Sequence, residues 1–486
     1  MNTPAGTTMP FPPSDLAGET LRHEQVDASK QSFWAPYAWL DAENAPTSNV
    51  RIIVAHGFIT GIDSGVPADP QDIQLQGLLM PGAANCHAHT FHRALRGLGH
   101  EGSTFWQWRD TMYRIAHSLT PELYYQYARA VYAEMVLAGY TSVAEFHYVH
   151  HQINGKPYSD PNAFGKALIH AALDAGIRLT LLDTCYLHAG VDASPLGDHQ
   201  LRFGDASAEA WKDRVQMLDD EVRARDLPTI QIGAAAHSVR ALQPEEAAIV
   251  VQWARSGNSG SDDNSHNSPR PLHVHLSEQT AENQVCLDHT GLTPTQLLDK
   301  VGFWGPYTTA VHATHMTDND IAILREHGVT VAICPTTEAD LADGVGPART
   351  YRDHQIHLCI GSDECVCIDP FEEIRQLDAH ERLVCGQRDT FSPTQLVHML
   401  TLNGQLACGW TTSGSLEVGK SADFITVNTC SPRTAGSSLD SIPLTASSAD
   451  VLDVVVNGKR IVSNGRHCSI DDVPQQIAMI TEQLRQ

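Results

Sequence analysis

The chain has 486 residues, 42% of them hydrophobic and 18% charged, a composition that suits a globular protein with a sizeable core and excludes a disordered one. Asp and Glu number 57 against 32 Lys and Arg, a formal net charge of −25, and a field of that sign repels a phosphate backbone, so nucleic acid is excluded as a ligand. No apolar run approaches the ~18 residues of a membrane span, the first 31 residues carry no hydrophobic signal segment, and no membrane role is expected.

In chain order, residues 1–30 are polar and rich in Pro, Thr and Ser, and are expected to form a flexible tail. Residues 31–77 contain VRIIVAHGFITG at 50–61, two strand-like stretches about a Gly turn, and are assigned to the first part of a small β-sandwich. From 78 to 405 short apolar runs alternate with helix-like stretches. The runs lie at 78–84, 142–145, 178–183, 230–236, 272–276, 310–313, 329–334 and 358–362. Eight such runs predict a (β/α)8 TIM-type barrel, an α/β fold whose parallel strands are apolar on both faces and whose active site lies at their C-terminal ends. Residues 255–271, rich in Ser, Asn, Gly and Asp, read as a surface loop. Residues 406–470, with GSLEVGKSADFITV at 414–427 and VLDVVVNGKRIV at 451–462, supply the second part of the sandwich, and 471–486 a C-terminal helix.

Eleven scattered cysteines without a Cys-x-x-Cys spacing point to a reducing, cytoplasmic setting and no disulfide framework. The 26 histidines point to metal chemistry. A lone His-x-His is weak evidence, since about one such pair arises by chance in a chain this rich in His, and two occur, at His87/His89 and His273/His275. Position adds weight to the first, which follows a strand end. With His275 as a third nitrogen ligand and Asp363 as an oxygen ligand, the set suits Zn2+ with a position left open for water. The donor types do not separate Zn2+ from Fe2+ or Mn2+. Glu278, three residues after His275, is placed to carry a proton to a leaving nitrogen; the alternative is a capping or surface Glu. His312, after the sixth run, fits a packed core histidine as well as a functional one.

The segments PGAANCHAHTFHRALRG, TFWQWRDTMYRIA, GYTSVAEFHYVHH, AAAHSVRAL, HVHLSEQ, VHATH, CPTTEADLADG and GSDECVCIDPFEE resemble the amidohydrolase superfamily, and within it the formimidoylglutamate deiminases. The resemblance implies that His87, His89, His275 and Asp363 bind one metal, that Glu278, His312 and Asp363 handle protons and orient water, and that Arg109, Tyr148, His237 and Arg240 bind substrate. Superfamily members with two metals carry a carboxylated lysine at the end of the fourth strand; here that strand ends in Ala236-His237. Two positions depart from the family pattern. His92 stands where many members have Gln and is expected to contact a substrate carboxylate, and Glu364-Cys365 follow the metal Asp where Ser-His is common.

The expected reaction is hydrolytic deimination of N-formimidoyl-L-glutamate to N-formyl-L-glutamate and ammonia, a step of histidine degradation. The expected partner is therefore a small anionic amino-acid derivative, gripped by arginines in an otherwise acidic protein, and the resemblance implies a homodimer. The rival expectations are a mononuclear-zinc deaminase of an aminoheterocycle such as guanine, and a non-enzymatic barrel that binds metal or metabolite.

Overall fold

The computed structural model describes residues 30–41, 43–98, 105–257 and 269–486, the side chains of residues 105–107 excepted. The expected tail at 1–30, but for Lys30, and most of the expected loop at 255–271 lie outside the described residues.

Eight parallel strands make the barrel: β1 (Ala83–Ala88), β2 (Tyr140–His147), β3 (Arg178–Cys185), β4 (Ile230–Ala236), β5 (Leu272–Leu276), β6 (Thr308–His312), β7 (Thr330–Ile333) and β8 (His357–Ile360), each paired with its sequence neighbour. Strands β2 and β3 are buried at every position, as strands covered by helices on both faces must be. The ring closes just past β8, where the amides of Ser362 and Asp363 donate to the His87 carbonyl at 3.0 and 2.9 Å and the His89 amide donates to the Asp363 carbonyl at 2.9 Å. Gly361 permits that approach, because a Cβ there would lie 2.7 Å from His87 Cβ and 2.9 Å from Cys334 Sγ.

The run at 78–84 does not form one barrel strand. Leu78–Pro81 pairs instead with Gln31–Ala38 and Phe424–Val427 in a separate nine-stranded sheet, and the barrel begins at Ala83 after Gly82. The division falls at Gly82, where a Cβ would sit 2.2 Å from Thr141 Cγ2. Both halves of the run are buried, Leu78–Pro81 in the small sheet and Ala83–Ala88 in the barrel, so hydrophobicity alone cannot show where the chain changes sheet. The nine-stranded sheet joins Gln31–Ala38, Thr47–Ala55 and Phe58–Ser64 from one end of the chain to Phe424–Val427, Val451–Val456 and Lys459–Ser463 from the other. Its own core packs Phe33 edge-on to Phe424, with centroids 5.1 Å apart, among Ile52, Val54, Leu79 and Val455. Two of its hairpins turn through left-handed pairs, His56-Gly57 and Asn457-Gly458, the conformation that matches the twist of two-residue β-turns.

Two attachments bear on the site. The segment Leu402–Ala407 seals the N-terminal mouth of the barrel: Gln405 accepts from Ser142 Oγ at 2.9 Å, Ala407 O pairs with His273 Nε2 at 3.0 Å, and Asn403 Nδ2 donates to Leu358 O at 3.0 Å. The helix Val473–Arg485 buries Ile477, Ile480 and Leu484, and Arg485 donates to the carbonyls of Ala94 and Arg96 at 2.7 and 2.8 Å. It thereby clamps the far end of the short helix that follows His89.

The small sheet is tied to the barrel through Arg178 at the start of β3, whose Nε donates to Asp423 Oδ2 at 2.7 Å and whose guanidinium lies 5.1 Å from the Trp410 ring centroid. Both partners of this ion pair are buried, and removing one leaves the other charge without compensation, at a cost of about 3–5 kcal/mol. Arg178→Met is therefore expected to lower the thermal midpoint distinctly below that of the wild type; an unchanged midpoint in calorimetry would contradict this account of how the two units are joined.

Candidate active site

The C-terminal ends of the strands bring the expected metal donors to one point. His275 Nε2 lies 3.1 Å from His87 Nε2 and 3.3 Å from His89 Nε2, while Asp363 Oδ1 lies 3.3 Å from His87 Nε2 and 3.4 Å from His89 Nε2. Tetrahedral bonds of ~2.0–2.1 Å place ligand atoms about 3.3 Å apart, so His87 and His89 each stand at that spacing from both His275 and Asp363, in overlapping clusters of donors. Their chemistry agrees. The far nitrogens of two rings are tied to backbone carbonyls, His89 Nδ1 to Phe146 O at 3.0 Å and His275 Nδ1 to His237 O at 2.9 Å. Nδ1 must then carry the proton, which turns the Nε2 lone pair toward the centre. Burial, then the neighbouring His87, holds His89 down at about 3, and burial first of all keeps His87 and His275 well below the ordinary histidine value. Neutral imidazoles are what a metal requires.

Strain marks the same place. Ser277, His312, Ala313, Asp363 and Cys365 all adopt left-handed backbone, with φ between 43° and 68°. Residues other than Gly persist in that region only where their surroundings impose it, and such residues gather at functional sites.

His312 stands beside the quartet, with Nε2 3.7 Å from Asp363 Oδ2 and 3.9 Å from Glu278 Oε1, and Nδ1 3.3 Å from Glu338 Oε1. Burial works against its protonation but is outweighed by Glu278, the Glu338 hydrogen bond and Asp363, which lift it to about 10. Glu338 also accepts from the Cys334 amide at 2.9 Å. It lies in the segment CPTTEADLADG, but its part in orienting His312 goes beyond the sequence reading because it sits on a short helix after β7 rather than at a strand end.

The donors face a cavity of about 80 Å3, into which Glu278, Arg109, Arg240, His92, Tyr148 and His237 also project. All the residues singled out from the sequence thus meet in one place, except that His87 sits behind the cavity wall. The arginines are not equivalent. Arg240 Nε is 2.9 Å from Glu282 Oε2, an ion pair that fixes the guanidinium from behind, whereas Arg109 lies over the Tyr113 ring at 5.7 Å. His92 Nε2 is 2.8 Å from Tyr148 OH, and burial followed by the charges of His89 and His87 keeps its ring neutral. The His237 ring meets Tyr186 edge-on at 4.3 Å, while its carbonyl steadies His275.

Sequence reasoning missed the aromatic wall of Trp108, Tyr113, Tyr186 and Phe203, whose members come from helices and strand ends without a shared spacing. It also missed Glu145 beneath the site, whose carboxylate accepts from the Thr90 amide at 2.9 Å and from the hydroxyls of Tyr124 and Tyr132 at 3.1 and 3.2 Å. Burial raises that carboxyl to about 7 against those hydrogen bonds, and its grip on Thr90 secures the residue next to His89. Two histidines adjacent in sequence to site residues lie elsewhere: His273 is committed to the barrel floor, and His147 points into the helical layer near Gly165 and His150.

A model of the amidohydrolase family matches residues 78–461. The chain is 35% identical over 434 residues to formimidoylglutamate deiminase of Pseudomonas aeruginosa, an alignment spanning 86% of this chain and 92% of that one. An amidohydrolase from Brucella melitensis superposes with a TM-score of 0.85 at 30% identity, covering 93% of this chain and 99% of the other. An adenosine deaminase from Xanthomonas campestris, described with bound zinc, shares the fold at a TM-score of 0.78 and 22% identity, over 96% and 100% of the two chains. With eight strands delivering histidines and a carboxylate to one mouth, and a match that runs through all of them, the chain belongs to the amidohydrolase family and is a hydrolase acting on carbon–nitrogen bonds.

Proposed function

We propose that the chain hydrolyses the formimidoyl group of N-formimidoyl-L-glutamate, releasing ammonia and leaving N-formyl-L-glutamate, with one Zn2+ held by His87, His89, His275 and Asp363. The observation that carries this reading is that His89, His275 and Asp363, with His87 just behind them, share one cavity with two guanidiniums, Arg109 and Arg240. A substrate with carboxylates at one end and a hydrolysable nitrogen at the other suits such a cavity, and guanidinium forks bind carboxylates bidentately. The 35% identity to a formimidoylglutamate deiminase supports the same assignment, and a zinc-bearing neighbour of the same fold supports the choice of metal.

In this reading Arg109 and Arg240 hold the glutamate carboxylates, with His92 and Tyr148 beside them, and set the formimidoyl carbon against the donor quartet. A divalent cation bound there supplies Lewis acidity and lowers the pKa of a water it coordinates toward neutrality. Asp363 and His312 orient the attacking water, and Glu338 keeps the His312 ring in place through Nδ1. Glu278 takes the proton from that water and delivers it to the imino nitrogen. The carbon–nitrogen bond then breaks as the proton of the added hydroxyl passes to the same nitrogen, so that ammonia departs and the former C=N carbon becomes the formyl C=O of the product. One cation suffices: β4 ends without a lysine to bridge a second.

A second reading, deamination of an aminoheterocycle, draws on the wall of Trp108, Tyr113, Tyr186 and Phe203, against which a planar ring can stack. Purines have no carboxylates to occupy Arg109 and Arg240. The purified protein loaded with zinc is expected to release ammonia and formylglutamate from formimidoylglutamate and to leave guanine and adenosine intact; turnover of a purine without turnover of formimidoylglutamate would transfer the assignment to the second reading. Glu278→Gln is expected to retain its metal and to lose about 10²–10⁴-fold in kcat, the contribution of a positioned proton carrier. A variant with wild-type kcat would remove Glu278 from the mechanism.

A further inference from the structure

The turn after β8 holds a group that the mechanism leaves unused. Asp363 and Cys365 take left-handed conformations on either side of Glu364. The turn is pinned by hydrogen bonds from the Cys365 amide to Ser362 O at 2.7 Å, from the Glu364 amide to Thr337 Oγ1 at 3.3 Å, and from Arg96 to Cys365 O at 2.8 and 2.6 Å. The Glu364 side chain is thereby turned into the cavity wall, where the residue is 3% exposed. Its Oε1 is buried and has no hydrogen-bond partner. Burying an acceptor without a partner works against folding, so a ligand is the natural source of the missing donor.

Its surroundings say what kind of donor. The charges acting on Glu364 come from Asp363, Asp340, Glu278 and Asp343, all acidic. The arginines lie against other groups, Arg240 beside Glu282 and Tyr186 and Arg109 over Tyr113. The cavity therefore offers two kinds of group, the guanidiniums and, acting on Glu364, a set of carboxyls of which Glu278 also acts on Arg240. Anionic groups belong against the first and N–H donors, preferably cationic, against the second.

We propose that Glu364 determines specificity at the reacting end of the substrate, its carboxyl accepting hydrogen bonds from the N–H groups of an amidinium. This deepens the reading given above and rests on it. Hydrolysis replaces the nitrogen that donates with an oxygen that can only accept, so the same carboxyl that favours the amidine disfavours the amide product. Glu364 thus sets the preference for substrate over product without taking part in bond breaking.

The test compares zinc-loaded wild type with Glu364→Gln and Glu364→Ser, using formimidoylglutamate as substrate and N-formyl-L-glutamate as inhibitor. Both variants are expected to keep the wild-type metal content, to raise KM roughly tenfold, as loss of a charge-assisted hydrogen bond does, and to hold kcat within about twofold. The inhibition constant of formylglutamate is expected to stay level or fall. Calorimetric titration of formimidoylglutamate into Glu278→Gln and Glu278→Gln/Glu364→Gln should show the same loss of affinity without turnover. If KM and the inhibition constant move by one common factor, or neither moves, or the variants lose metal, the proposal is overturned and Glu364 only shapes the Asp363 turn. A wild-type enzyme that releases no ammonia from formimidoylglutamate overturns the functional reading, and this proposal with it.

Discussion

Two neutral imidazoles, those of His87 and His89, each held within about one ligand spacing of both a third, His275, and the carboxylate of Asp363, form the constraint around which the rest of the molecule is arranged. Four donors crowded together without a cation are unfavourable, because lone pairs face one another in a space that water scarcely enters. The barrel enforces the crowding. His87 and His89 end the first strand and Asp363 follows the eighth, so the hydrogen bonds that close the ring between them are the same ones that set the donor geometry. Gly361 keeps that seam tight, and Glu145 and Arg485 hold the chain just beyond His89 from below and from outside.

A second consequence concerns charge. Glu278, Glu338, Asp343, Asp363 and Glu364 are gathered around His312 in a protein whose formal net charge is already −25. Burial, then the charge of Glu278, holds Asp343 above the usual carboxylate range, and burial, then Asp363, does the same for Glu364. A divalent cation among them relieves this repulsion, so the acidic surroundings that would be costly in an ordinary core become part of what retains a metal. The arginines stand in the same cavity, one braced by Glu282 and the other against Tyr113. The anionic substrate proposed above would thus meet local positive charge inside a negative protein.

Much of this was legible in the sequence, for a physical reason. Strands buried on both faces must read as apolar runs, and polar residues that recur immediately after such runs fall at one end of a barrel. His87, His89, His275 and Asp363 stand out in that way, and Glu278 as one of two readings, whereas His312 takes its role from the family resemblance. The limits are equally physical. The stretch from Leu78 to Ala84 is apolar because both sheets it serves are buried, so its division at Gly82 depends on the tertiary clash with Thr141. Glu338 and Glu145 act through hydrogen bonds to partners that only the fold brings near, and Tyr186 and Phe203 share a wall with Trp108 across a long sequence separation. Glu364 stood out only as a departure from a pattern, and its buried, unpartnered oxygen gives that departure a structural meaning.

The proposed chemistry requires that His87, His89, His275 and Asp363 hold a single metal ion. Metal analysis of protein purified without added metal, beside His275→Ala and Asp363→Ala, addresses it most directly. One equivalent of a divalent transition metal per chain in the wild type, falling well below one in both variants, is the expected result. A wild-type protein that binds none after dialysis against Zn2+, or variants that retain a full equivalent, would contradict it.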